Sequence, residues 1–320
     1  MQDTTTTPMI EVNNLTKYYG DFPAIEDISF TVNKGEILGF LGPNAAGKTT
    51  TMRVLTGFMP PTSGSARIAG FDVVDQSLEA RRHIGYLPET VPLYTEMSVK
   101  DYLDFMGRIR GMNTQWRRRR ISDVIGICRL EEYESTLIGK LSKGFRQRVG
   151  IAQAVLHEPD VLIMDEPTVG IDPIQVVETR NLIKGFGGDH TVILSTHILP
   201  EVSMVCERVI IINEGQVVAI DRPENLSERL KGTERIEVDI RGRPSQVMTA
   251  LRDIPGVQDV TRTDREDVGS YIIESASGAD LREQIANLGF QRGWGLLKLQ
   301  SIQMSLEEIF LRLTTESDSA

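Results

Sequence analysis

The sequence predicts an α/β protein: a parallel sheet covered by helices, interrupted by a helical insertion and followed by a smaller α+β unit. Three observations carry this. Short, almost wholly apolar runs recur at 37–41, 161–164, 192–194 and 209–212, and unbroken apolarity of that length suits strands buried on both faces. A glycine-bearing turn, residues 42–49, joins the first run to a helix start at Thr50–Leu55. Beyond a polar stretch from Asp221 to Lys231, the pattern changes to a β-α-β-β-α-β order, the ferredoxin-like arrangement.

Length and composition bound the function classes. At 320 residues the chain is long for one domain and suggests two, 1–225 and 226–320. Its 40% hydrophobic and 25% charged residues are ordinary for a globular protein. No apolar run approaches the ~20 residues that a membrane-spanning helix needs. The Thr-rich start, Met1 to Pro8, lacks a basic segment followed by an apolar one, so no secretory signal is expected. A formal net charge of −10 argues against nucleic acid as partner, because such binding rests on neutralising phosphates. Cys128 and Cys206 lack metal-ligand spacing and read as buried small hydrophobes in a reducing compartment.

The first run, Ile37 to Leu41, leads into Gly42-Pro43-Asn44-Ala45-Ala46-Gly47-Lys48-Thr49, a complete G-x-x-x-x-G-K-[ST] phosphate-loop pattern. Its glycines let backbone N–H groups turn inward around phosphates. Lys48 reaches the β- and γ-phosphates, and the Thr49 hydroxyl can ligate Mg²⁺. The helix opening at Thr50 presents its positive end to the same anion.

Residues 89–155 are helix-rich, carry no strand signal and read as an inserted helical subdomain. Ser98 to Asp101 has the form of a capping box, opening a helix with Tyr102, Phe105, Met106 and Ile109 at helical spacing. Arg146 to Leu156 forms another, with Phe145, Val149, Ala152 and Val155 on one side. The Arg117–Arg120 run beside Trp116 reads as a solvated helical face. The strand 161–164 ends in Asp165 and Glu166. In a phosphate-loop NTPase an acid at that strand end holds the Mg²⁺ shell, the role assigned to Asp165. Glu166 is placed to polarise a water for attack on the γ-phosphate.

In the second unit, strands are expected at 235–240, 257–262, 271–274 and 296–299, with helices at 245–251 and 280–288. Ser305 to Glu308 caps a last amphipathic helix bearing Leu306, Ile309, Phe310 and Leu313. No residue cluster there suggests chemistry.

The motif Leu141-Ser142-Lys143-Gly144-Phe145-Arg146-Gln147-Arg148 resembles the signature of ATP-binding cassette (ABC) ATPases. Asp165-Glu166-Pro167-Thr168 and Val169-Gly170-Ile171-Asp172 are similar to the family's second Walker segment and D-loop, and Ser195-Thr196-His197 to its switch histidine. The resemblance covers about residues 9–225, with every motif in order. It implies a P-loop NTPase core and a head-to-tail pair of cassettes, either a homodimer or a heterodimer. ATP would lie between Lys48 and Thr49 of one chain and Ser142 and Gly144 of the other. It further implies that His197 contacts the γ-phosphate, that Asp172 crosses the interface, and that Tyr19 stacks on adenine, with Tyr18 as the alternative.

Three features depart from the commonest family pattern. Ala45 stands where glycine is usual; if φ is positive there, alanine costs about 1 kcal/mol. Lys143 and Phe145 replace a glycine and a glutamine of the signature. Glu89 occupies the position of the Q-loop glutamine, and as a carboxylate it can still ligate Mg²⁺.

The functional expectation is the ATPase subunit of an ABC export system, peripheral on the cytoplasmic face of the membrane and docked to a separate permease. Export follows from resemblance of residues 57–64 and 305–311 to multidrug, sodium-extrusion and gliding-motility cassettes. The alternatives are a soluble non-transport cassette and a regulatory, catalytically weak one. A single motif set without sustained heptads speaks against the first. The presence of Lys48, Asp165, Glu166 and His197 speaks against the second.

Overall fold

The structure is a computed structural model that describes residues 8–225, 233–265, 268–276 and 280–302. The chain divides into two compact units, Met1–Pro223 and Glu224–Ala320.

In the first unit, an antiparallel sheet is built from β1 (Pro8–Tyr19), β2 (Phe22–Asn33), β4 (Ser63–Ile68) and β5 (Phe71–Asp72), in the order β2-β1-β4-β5. The sequence reading did not anticipate this sheet. Val12, Leu15, Ile25 and Ile28 are buried, but the alternation is broken between them. Register shifts fall between Val12 and Leu15, where Asn14 has φ 47° and donates from Nδ2 to Asp27 Oδ1 at 2.6 Å. Such bulges put apolar residues out of period 2 while keeping them on the core face.

A second sheet combines β3 (Ile37–Leu41), β6 (Ile84–Leu87), β7 (Val161–Asp165), β8 (Thr191–Thr196), β9 (Arg208–Asn213) and β10 (Gln216–Asp221), ordered β10-β9-β3-β8-β7-β6. All its pairings are parallel except that of β10 with β9. Every residue of β3, β7 and β8 is buried, as their apolar runs require. The helices α1 (Lys48–Leu55), α2 (Ser77–Arg82), α6 (Pro173–Lys184) and α7 (Leu199–Val205) complete the α/β alternation.

Between β6 and β7 lie α3 (Val99–Ile109), α4 (Thr114–Ile127) and α5 (Lys143–Val155), the helical insertion expected from sequence. Ser98 caps α3, accepting from Asp101 N at 3.1 Å. The inward face of α3 is Val99, Tyr102 and Leu103; Phe105 and Ile109 are exposed, against expectation. Gly107, buried with them, admits the Arg117 side chain, whose Cδ would stand 2.6 Å from any Cβ there.

The arginine run on α4 is not a uniformly solvated face. Arg117 is buried, donating to Asp104 Oδ1 at 2.6 Å and to Met112 O at 2.8 Å. Arg120 donates to Val155 O and Leu156 O at the end of α5, where a cation also meets the helix dipole. Arg118 and Arg119 alone are exposed. Helix α5 starts at Lys143, ahead of the expected Arg146, because Ser142 Oγ caps it by accepting from Phe145 N at 3.3 Å.

The second unit contains β11 (Thr233–Arg241), α8 (Pro244–Arg252), β12 (Val257–Arg265), β13 (Val268–Ala276), α9 (Arg282–Gln291) and β14 (Gly295–Ile302). Its antiparallel sheet is ordered β12-β13-β11-β14, the ferredoxin-like arrangement the pattern predicted. Ile236, Val238, Ile240 and Ile273 from the sheet meet Val247, Leu251 and Ile285 from the helices in one core. The expected helix from Ser305 lies outside the described residues. Cys128 and Cys206 are both free and buried, and burial pushes the Cys128 thiol up to about 12.

Candidate active site

The turn from β3 to α1 depends on a residue that only glycine satisfies. Gly47, the N-cap of α1, has φ 103°, and a Cβ there would meet Ala24 O at 2.6 Å and Ile25 Cγ2 at 2.7 Å. Ala45 also takes a left-handed φ, 66°, so this alanine carries the strain that a glycine would not. Lys48, the first residue of α1, curls back over the turn. Its Nζ donates to Gly42 O at 2.7 Å and Pro43 O at 3.0 Å, and stands 3.4 Å from Glu166 Oε1. At 6% exposure this ammonium has lost most of its water, and those three oxygens replace it.

Two strand ends meet the turn from the other side. Strand β7 ends at Asp165, and Glu166 follows with φ 49°. On neighbouring β8, Ser195 Oγ donates to Asp165 Oδ1 at 2.5 Å and accepts from Glu166 N at 3.1 Å. Asp165 is 1% exposed, and its second oxygen, Oδ2, has no hydrogen-bond partner among the described residues. Just past β8, His197 places Nδ1 3.0 Å from Glu166 Oε2. Burial, then the charge of Asp165, pushes the nearby Tyr86 hydroxyl up to about 12.

These groups border a cleft of about 500 Å³. Of the residues singled out from sequence, Tyr19, Asn44, Ala45, Gly47, Lys48, Thr49, Thr50, Glu89, Glu166 and His197 line it. Gly42, Pro43 and Ala46 form the turn behind Lys48, and buried Asp165 lies beside Glu166. Tyr18 does not line the cleft; its hydroxyl donates to Glu26 at 2.9 Å. Ser142 and Gly144 also lie outside the lining. Ser142 is exposed, and Gly144 is covered by Gln175 of α6, whose Oε1 would fall 1.3 Å from any Cβ there.

Sequence reasoning missed Phe22, which lines the cleft and pairs in register with Tyr19 across the β1–β2 turn. An aromatic on each side of Gly20-Asp21 was the available signal. The clamp role of Ser195 was likewise not readable, since it depends on which strands are neighbours.

Chemically, the cleft offers a buried ammonium at a helix start and a carboxylate–histidine pair, with the second carboxyl oxygen of buried Asp165 beside Glu166. A polyphosphate with its cation fits that set. The family model for ABC transporters matches residues 25–169. Linearmycin resistance ATP-binding protein LnrL of Bacillus subtilis (strain 168) is 33% identical over 312 residues, covering 96% of this chain and 98% of that protein. The chain belongs to the ABC transporter family. Within it, this ABC chain is an ATP-binding subunit and an ATPase. Bacitracin transport ATP-binding protein BcrA of Bacillus licheniformis is 33% identical over 307 residues, covering 95% of this chain and 97% of that one. A solved ATP-binding subunit of an ABC transporter superposes with a TM-score of 0.62 at 32% identity, covering 69% of this chain and 92% of that chain. Among the described residues, no helix is long and apolar enough to cross a membrane.

Proposed function

We propose that this ABC subunit hydrolyses ATP to power an export system, acting as one of two paired cassettes docked to a separate permease on the cytoplasmic membrane face. The observation that carries the reading is the cleft in which Lys48, Glu166 and His197 converge, with Lys48 and His197 each within 3.4 Å of the Glu166 carboxylate. Two relatives whose names speak of linearmycin resistance and bacitracin transport favour export.

In this reading Lys48 and backbone amides of the turn 42–49 bind the triphosphate, Pro43 having none to give and those of Gly42 and Ala46 donating to Thr196 O and Pro43 O, and Tyr19 stacks on the base. Glu166 accepts a proton from the attacking water, and His197 holds Glu166 and the γ-phosphate in register. The residues present fit Mg²⁺. Asp165 Oδ2 is a buried carboxyl oxygen without a donor among the described residues, a costly arrangement that a cation offsets. Among the described residues, no three His, Cys, Asp or Glu side chains gather as a metal set. A Mg²⁺ bound through one or two carboxylates and substrate phosphates needs no such set. Asp165, Thr49 and Glu89 would hold it, and it would neutralise charge on the β- and γ-phosphates.

Ser142 and Gly144 lie outside their own chain's cleft, which supports their serving the site of a second cassette. Hydrolysis then removes the bridging phosphate and opens the pair, driving the permease between its two states. In this proposal residues 1–225 form the ATP-binding domain, and 226–320 an accessory domain. The test is ATP turnover by the purified chain beside a Lys48→Ala variant. Turnover in the first and its loss in the second support the reading; equal rates contradict it.

A further inference from the structure

Beneath the site lies a buried carboxylate that no nucleotide-facing role explains. Glu201, in the first turn of α7, is 2% exposed. Its Oε2 accepts from Thr168 Oγ1 at 2.7 Å and from Thr196 Oγ1 at 3.1 Å. Both threonines are buried as well. Each belongs to a segment that carries part of the cleft. Thr168 precedes Val169, which lines the cleft and donates from its N to Glu166 O at 3.2 Å. Thr196 precedes His197, and its hydroxyl also accepts from Ile198 N at 3.0 Å. Its carbonyl accepts from Gly42 N at 3.4 Å, at the start of the phosphate-binding turn.

One carboxylate oxygen thus holds together two loops that are also joined by the His197–Glu166 pair and by Ser195. Burying a carboxylate costs several kcal/mol unless its lone pairs are used. A purely structural site would be served as well by an apolar residue of similar volume. The two hydroxyl donors, one from each active-site loop, point to a mechanical task.

We infer that Glu201 is a positioning residue: through Thr168 and Thr196 it fixes the loop that follows Glu166 and the turn that carries His197 in one mutual register. This rests on the ATPase reading above and adds to it a residue that touches neither ATP nor metal. Loosening the clamp displaces Glu166 and His197 relative to each other, while leaving residues 42–49 and Tyr19 to bind nucleotide. A displacement of that kind lowers kcat much more than it changes nucleotide affinity.

The test uses the full chain with Glu201→Ala, Glu201→Gln and the near-isosteric Thr168→Val, which keeps the inference testable should Glu201→Ala fold poorly. Wild type and Glu166→Gln, run alongside, report on the ATPase reading itself; the role of Glu201 is read only from ratios to wild type. Glu201→Ala is expected to lower kcat about 10- to 100-fold, with KM for ATP changed less than about threefold. Thr168→Val lowers kcat about 3- to 10-fold, and Glu201→Gln, which keeps an acceptor oxygen, stays within about threefold of wild type. Combining Thr168→Val with Glu201→Ala adds little, because both remove the same link. The His197 imidazole NMR signal moves in Thr168→Val, although Thr168 does not touch it. Thr168→Val and Glu201→Ala chains that both keep wild-type kcat, or an unmoved His197 signal, would overturn the inference.

Discussion

Ser195 Oγ donates to Asp165 Oδ1 at 2.5 Å while accepting from Glu166 N at 3.1 Å. One hydroxyl therefore orients the buried acid, leaving Oδ2 unpartnered among the described residues, and pins the backbone of Glu166 in its left-handed conformation. Ser195→Ala removes both bonds, though Glu166 N keeps Ser195 O as an acceptor at 3.1 Å. The variant should unfold about 1–3 kcal/mol more easily in urea. With Asp165 as the proposed Mg²⁺ ligand, the Mg²⁺ concentration for half-maximal turnover should rise about tenfold, because that ligand loses its supporting hydrogen bond.

Ala45 offers a gain rather than a loss. Its φ of 66° is one that glycine adopts without strain, and the strain relieved exceeds the extra chain entropy glycine brings. Ala45→Gly should raise stability by about 0.5–1 kcal/mol, read as a higher thermal midpoint, with ATP affinity kept.

Arg117 and Asp104 tie α4 to α3 at 2.6 Å. The Arg117 hydrogen bond, ahead of that from Arg108, holds the Asp104 carboxyl below its ordinary value of 3.8. A lowered carboxylate value means the pair's stabilisation is full above 3.8 and is lost as the pH falls through the lower folded value. Arg117→Met should cost about 2–3 kcal/mol near neutral pH. The gap to wild type should close in acid, measured by urea unfolding across that range.

His157 sets a second acid dependence. Burial, then the charge of Arg110, lowers it from 6.5 to about 4, while its Nε2 lies 3.1 Å from Ile84 O and its Nδ1 has no partner among the described residues. Between those values the unfolded chain takes up a proton that the folded chain refuses, so stability falls as pH drops from 6.5 toward 4. His157→Gln, which can donate to the same carbonyl, should flatten that slope in urea midpoints.

Much of this molecule was legible before any coordinates. The buried runs at 37–41, 161–164 and 192–194 are wholly apolar because both faces are covered, and the turn 42–49 is constrained by spacing alone. The β1–β2–β4–β5 sheet was illegible because bulges at Asn14 and Asp27 break its period. Arg117 misled because a charged residue reads as solvated until Asp104 and Met112 are seen to pair with it. Ser195 and Glu201 act across strand and loop neighbours far apart in sequence, so no local pattern reveals them.

In the proposed pairing, the Ser142 turn of a second cassette completes the ATP site. This is tested most directly by the sedimentation mass of the Glu166→Gln chain with Mg²⁺ and ATP. Removing the carboxylate proposed to activate water should leave ATP bound and unhydrolysed, with turnover reduced at least about 100-fold. The mass should double when ATP is added, and Ser142→Arg in the same background should abolish the doubling. Saturating ATP on a chain that stays single, with wild-type turnover per chain independent of dilution, would contradict it.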